Sequence, residues 1–291
     1  MAVHELQFAY QMESSTTMCT WGAIETVGYF VRNGSEVFTC LMDNTKAFDK
    51  VRYSVLFTKL LQTTLPVVYT RVLLFIYVNQ KANIRWNNKV TGFFKIRNGV
   101  RQGAILSGIL YCFYTTKLVE ALEDNGYGCW VNGEFCGVWS YSDDTYLIAP
   151  SLEALQNMIK TCEEFADSHS LLYSTDPDPK RCKTKCIAFL KKQRDLPGMI
   201  LCGNRLPWVS EGMHLGHKIT DKYDGMTSDI LMKRDMFIQR NCELNQEFAH
   251  CDPLTKLKIN NIYNSHMTGS PLWNLFCRQT EMIEKSWNVC Q

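Results

Sequence analysis

The chain has 291 residues, 46% of them apolar and 12% aromatic, with a formal net charge of +2. That much apolar material can bury a substantial core as one large or two modest domains, which excludes a disordered protein, and the near-neutral balance by itself gives no argument for nucleic acid. The thirteen cysteines are odd in number without framework spacing, residues 1–10 hold no apolar run, and the longest apolar stretch, residues 72–78, is far below the roughly 20 residues of a membrane span. Reduced thiols in a cytoplasmic or nuclear protein, neither secreted nor in contact with a membrane, are therefore expected.

In chain order, Ser14-Ser15-Thr16-Thr17 precedes a helical apolar period through Trp21, Ile24, Val27 and Val31 that stops at Asn33-Gly34, an N-capped helix with a glycine exit. Residues 36–43 read as an apolar strand ending on Asp43. Two helices follow at about 54–63 and 66–79, the second begun by Pro66. Residues 81–86 and 90–96 then form a hairpin turning at Asn87-Asn88. The stretch Asn98-Gly99-Val100-Arg101-Gln102-Gly103 brackets one charge and one amide with glycines, so its backbone can approach a ligand closely; it can equally be an ordinary glycine turn before a helix. Ser107 reads as the cap of a helix running to about 124.

Residues 135–141 and 145–149 read as the two strands of a hairpin whose connection carries Asp143-Asp144. Two acids at such a tip can be turn chemistry alone. Asp43, ending a different apolar strand, supplies a third carboxylate and points to a metal site instead. Ser151 caps an amphipathic helix to about 168 with Leu155, Ile159, Cys162 and Phe165 on one face. Residues 180–194 then hold seven bases and no acid around a short apolar strand. That suits either phosphate contact or a solvated edge strand. Cys182 and Cys186 with His214 and His217 can be drawn as a zinc site, but the spacing is not compact and lysines crowd the cysteines. Short strands at 199–202 and 214–219 lead to helices at about 228–250 and 254–263, with a boundary near 222. Strands interleaved with helices around an antiparallel hairpin argue for an α+β sheet with helices packed on one face.

Four ordered segments now carry a family resemblance: Leu41-Met42-Asp43 with Lys46-Ala47-Phe48-Asp49-Lys50-Val51; residues 98–107; Tyr141-Ser142-Asp143-Asp144; and Leu171-Leu172-Tyr173 through Lys183-Thr184-Lys185. With Leu215-Gly216-His217 as a shorter fifth, they make roughly residues 14–220 resemble the reverse transcriptase domain of non-LTR retrotransposons. The resemblance implies a right-hand polymerase with a palm, partial fingers and a helical thumb. It divides the chain into 1–34 as a remnant of fingers and its connecting helix, 35–200 as palm with a finger-proximal insertion at about 52–97, 201–221 as primer-grip-like strands, and 222–291 as a helical thumb-like region.

It further implies that Asp43, Asp143 and Asp144 hold two magnesium ions, with manganese as a substitute, about 3.5 to 4 Å apart. Phe48 would then be the steric gate under the sugar. Gln102 and Gly103 would lie against the templating base and incoming nucleotide, and Arg101 near the template. Lys183 would sit by the triphosphate with Lys185 as its competitor, and Lys185, Lys191 and Lys192 would contact nucleic acid. The partners implied are an RNA template, a DNA primer and deoxynucleoside triphosphates. Ser142, Ala104 and Gly108 depart from the family's usual alanine, glycine or aspartate, and proline, without removing a catalytic group. Only a short piece precedes Ser14, so a truncated copy that keeps the fold and metal ligands but has weak or no processive activity is expected. Two other classes share some features: a non-catalytic, host-adopted nucleic-acid-binding protein, and a two-metal phosphohydrolase, which leaves Phe48, Gln102 and Lys183 unexplained.

Overall fold

A computed structural model describes residues 3–224 and 226–263. Helix α1, Thr16–Arg32, starts where the Ser15 hydroxyl accepts the Met18 N–H at 3.1 Å, a side-chain cap as the serine run implied. Strand β1, Val37–Met42, is buried at every position. Short α2, Ala47–Lys50, then α3, Tyr53–Leu61, and α4, Val67–Val78, follow; Pro66 is the N-cap of α4 rather than its first helical residue. The next hairpin is split into two pieces, β2 Lys81–Ala82 with β5 Phe94–Lys95, and β3 Arg85–Trp86 with β4 Lys89–Val90. Its tip has positive φ at both Asn87 and Asn88, the φ signature of a type I′ turn.

Helix α5, Ile105–Asp124, begins three residues earlier than its serine signalled. Ala104 is the N-cap, and Ser107 is buried in the first turn with its hydroxyl unpartnered, so it caps nothing. By length and composition α5 is apolar enough to cross a membrane, but two thirds of it is buried inside the fold, and it is the core helix. The expected strand at 135–141 is broken. A small hairpin, β6 Trp130–Val131 and β7 Glu134–Phe135, precedes β8, Val138–Tyr141. The break is at Gly137, where an added Cβ would meet the Gly128 backbone at 2.5 Å.

Strand β9, Asp144–Ala149, leads into α6, Leu152–His169, capped by Ser151 as expected. Beyond it lie β10 Lys185–Phe189, the hairpin β11 Ile200–Leu201 and β12 Asn204–Arg205, and the hairpin β13 Glu211–His214 and β14 His217–Thr220. The single strand expected at 214–219 is this second hairpin, because Leu215 and Gly216 both take positive φ and reverse the chain. Helices α7, Thr227–Glu247, and α8, Pro253–Tyr263, fall in the region expected to be helical; residues 264–291 of that region lie outside the described residues.

The central sheet is antiparallel with strand order β10-β1-β9-β8, so the fold is α+β as expected. Strand alternation sorts its side chains between two cores. Phe38, Cys40, Met42, Leu147 and Ala149 face α5 and α6, while Val37, Leu41, Tyr146, Ile148 and Ile187 face the other way with Ala23 and Val27 of α1. The helices expected on one face are α5 and α6, and α1 adds a layer on the opposite one. Toward the Met42 end that second face is covered by the β13–β14 hairpin, whose Gly212 approaches Leu41 so closely that a Cβ would meet it at 2.6 Å. Helix α7 is fastened to this hairpin by a buried network. Asp229 accepts from Lys233 Nζ at 2.9 Å and from the Lys218 N–H at 2.9 Å, and lies 3.2 Å from His217 Nδ1.

Candidate active site

The sheet register positions the acids. Met42 pairs with Thr145 and Leu41 with Lys185. One step further in each antiparallel ladder sets Asp43 opposite Asp144 on one side and opposite Lys183 on the other. By alternation Asp43, Asp144, Lys183 and Lys185 belong to the same face as Leu41, Tyr146 and Ile187, the face that carries the β13–β14 hairpin. Asp43 is held through its backbone. Its N–H donates to the buried Thr184 hydroxyl at 3.3 Å, and its carbonyl accepts the Ser174 N–H at 2.8 Å. The next residue, Asn44, donates its side-chain amide to the Asp143 carbonyl at 3.3 Å, which ties the end of β1 to the acidic turn.

The three carboxylates interact as charges. Burial raises the pKa of Asp143, and the Asp43 charge raises it further. Asp144 is pushed up to about 6, by burial first and then by Asp143 and Asp43. Two acids whose ionisation is disfavoured beside a third, all offering only oxygen donors, match what a hard divalent cation binds. They are not a closed cage: among the described residues no group of three or more His, Cys, Asp or Glu side chains is already gathered closely enough to hold a metal ion. The donor chemistry fits such a cation.

Phe48 lies half-buried in α2 with its ring stacked on Tyr111 of α5, centroids 4.9 Å apart. The glycine-bracketed loop is locked to it. Phe48 and Val51 carbonyls accept the N–H groups of Val100 and Gly99 at 2.8 Å each. Gly99 has φ +89, and a Cβ there would lie 3.0 Å from the Asp49 backbone. That glycine is therefore required by packing against α2, not by a ligand. Gly103, φ +82, has open space around it, and Gln102 beside it is exposed. Arg101 is exposed but directed, its Nε donating to Gln80 Oε1 at 3.1 Å.

The basic run divides. Lys183 is exposed and Lys185 half-buried at the acid end, where Lys180, Arg181 and Lys218 help line an open groove of about 420 Å³. Lys191 and Lys192 follow Phe189, which pairs with Val37 at the start of β1, so the sheet does not bring them to the acids. Five paired residues, roughly 17 Å of strand, separate the two basic ends. At the far end Glu36 binds the Arg194 guanidinium with both oxygens, at 2.6 and 2.7 Å. His217, drawn earlier with the cysteines around zinc, is bonded to Asp229 and Lys233 instead. Gln7 and Asn44, which contact the acidic turn, carry no periodic or spacing signal and could not be picked from the chain.

The family model for reverse transcriptase (RNA-dependent DNA polymerase) matches residues 1–190. The chain is similar to the retrovirus-related Pol polyprotein from type-1 retrotransposable element R2 of Nasonia vitripennis, with 24% identity over 160 residues, 55% of this chain and 15% of that one. It is also similar to the RNA-directed DNA polymerase from mobile element jockey of Drosophila funebris, with 21% identity over 221 residues, 74% of this chain and 23% of that one. It thus spans less than a quarter of either relative. A solved structure of apo telomerase from Candida tropicalis aligns with 94% of this chain and 49% of its own, at 12% identity and a TM-score of 0.47.

Proposed function

Because this chain belongs to the reverse transcriptase (RNA-dependent DNA polymerase) family, we propose that it extends a DNA primer along an RNA template using the carboxylate end of its central sheet. The observation that carries this reading is the register that sets Asp43 beside Asp144 with Lys183 across from them. Asp43, Asp143 and Asp144 would hold the divalent cations, magnesium or manganese, which would supply charge neutralisation at the phosphoryl group and activation of the primer hydroxyl. The chain's own groups position the reactants, which is most of what phosphoryl transfer asks of a protein. Phe48, braced flat on Tyr111, presents a rigid edge against the sugar. Gln102 and Gly103 stand free to meet the base pair, and Arg101, aimed by Gln80, meets the template phosphates. Lys183, exposed at the acids' edge, supplies positive charge and a proton to departing pyrophosphate, with Lys185 beside it. The remaining division follows: 35–200 forms the palm, 52–97 its insertion, 201–221 the primer-side strands and the following helices the thumb.

The test is extension of an oligo-deoxythymidine primer on poly-adenylate RNA with magnesium. Incorporation by the native chain should fall at least about 100-fold in Asp143→Asn, as expected when charge stabilisation of the transition state is lost. Incorporation independent of Asp143 would overturn the mechanism. Salt-sensitive RNA binding without any incorporation, unchanged by Asp143→Asn, would identify a binding module instead.

A further inference from the structure

The turn that carries Asp143 and Asp144 differs from the other tight hairpins of the molecule. At Asn87-Asn88, Asn132-Gly133, Cys202-Gly203 and Leu215-Gly216, both central residues have positive φ. Between Tyr141 and Asp144, which pair across the hairpin, only Ser142 does, at φ +61. Positive φ at the first central position alone is the signature of a type II′ turn, where glycine is the residue that fits without strain. A serine there stays put only if its surroundings hold it.

What holds it comes from the other end of the chain. Residues 6–8 run parallel to the outer edge of β8, the Ser140 N–H donating to the Leu6 carbonyl at 3.0 Å and the Phe8 N–H to the Ser140 carbonyl at 2.8 Å. This places the Gln7 side chain, 1% exposed, against the turn. Its Oε1 accepts the Ser142 N–H at 2.7 Å, and its Nε2 donates to the Ser142 carbonyl at 3.2 Å. The carboxamide thus grips the two peptide groups that flank the strained residue. The remaining valences are used as well, Oε1 by the Ala9 N–H at 3.2 Å and Nε2 by Ser140 Oγ at 3.0 Å. A side chain with both donors and its acceptor engaged has one amide orientation, since flipping it would set N–H against N–H.

We infer that Gln7 is a positioning residue for the two-acid turn: its carboxamide holds Ser142 in the strained conformation that presents Asp143 and Asp144 to the divalent cation. It does not touch reactants. The inference rests on the metal-dependent reading above, and its test separates the two. The probe is Mn²⁺ followed by electron paramagnetic resonance in the full chain, together with hydrogen exchange of the Ser142 amide. The variants are Gln7→Met, similar in length and unable to hydrogen-bond, and the same change in a Ser142→Gly background, where glycine needs no grip.

Gln7→Met should weaken Mn²⁺ binding about tenfold and speed Ser142 exchange about tenfold, the scale of losing two net hydrogen bonds. In the Ser142→Gly background the binding loss should shrink to roughly threefold or less, which simple damage to the fold would not produce. Wild-type Mn²⁺ affinity with unchanged exchange in Gln7→Met overturns the inference, as does an equal binding loss in both backgrounds. If the wild-type chain binds no Mn²⁺ through Asp143, the polymerase reading falls. The positioning role would fall with it, whatever the exchange at Ser142 then shows of the grip.

Discussion

The acid end of the sheet and residues 53–95 are built in opposite ways from similarly apolar sequence. Around the acids β1 is buried at every position and β9 at all but its first, the peptides flanking Ser142 are gripped by Gln7, and Ser142 itself has positive φ. This stretch joins the core through Leu56 and Leu60, both fully buried, and a small aromatic group, Tyr53, Phe57 and Tyr77, with centroids 5.6 to 6.2 Å apart. Much of its other apolar surface is open: α4 buries only Thr70 and Tyr77, and Phe75, Trp86 and Phe93 are each at least 70% exposed. Apolar composition therefore does not report burial here. What separates the regions is whether partners distant in the chain converge on them.

Mutations should read this contrast directly. Leu147, fully buried in β9, should lose about 2 to 5 kcal/mol on change to alanine, seen in urea denaturation, because transfer and cavity terms add. A loss below about 1 kcal/mol would mean that the sheet is not the rigid half of the molecule. Asp144→Asn should abolish polymerisation yet stabilise the fold in divalent-free buffer. The folded pKa of about 6 exceeds the ordinary aspartate value of 3.8, so the native state holds more protons between those values and stability falls as pH rises through that window. The gain from asparagine should be complete above about pH 6, of order 1 kcal/mol after allowing for solvent at a part-exposed group, and should vanish near pH 4. A Tm difference with the opposite pH slope would break the account. Phe75→Ser should change stability by less than about 0.5 kcal/mol in urea denaturation, since it removes exposed apolar area and little packing.

The elements readable in the chain were those with local causes. Ser15 and Ser151 cap helices through hydroxyls three residues from their partners, and β1 and β9 are short apolar runs, the first followed by Asp43 and the second beginning on Asp144. Ser107 misled because a helix start depends on where the backbone bends, which is already at Ala104. The acid constellation was legible as residue types but not as geometry. Lys191 and Lys192 belonged to one basic run with Lys183 in the chain, yet a five-residue strand carries them to the far end of the sheet. Gln7 was illegible for a different reason: its partner Ser142 is 135 residues away, and a lone glutamine carries no pattern.

The strand order β10-β1-β9-β8 also has a consequence for synthesis. β1 sits between two strands made long after it; Thr39 pairs with Ile148 and with Ile187, 109 and 148 residues later. At 5 to 20 residues per second, this six-residue apolar strand would wait roughly 5 to 30 s with one or both edges unpaired while the ribosome delivers its neighbours. A chaperone that binds extended apolar segments should therefore engage the nascent chain at residues 37–42 and leave only as 185–189 emerge.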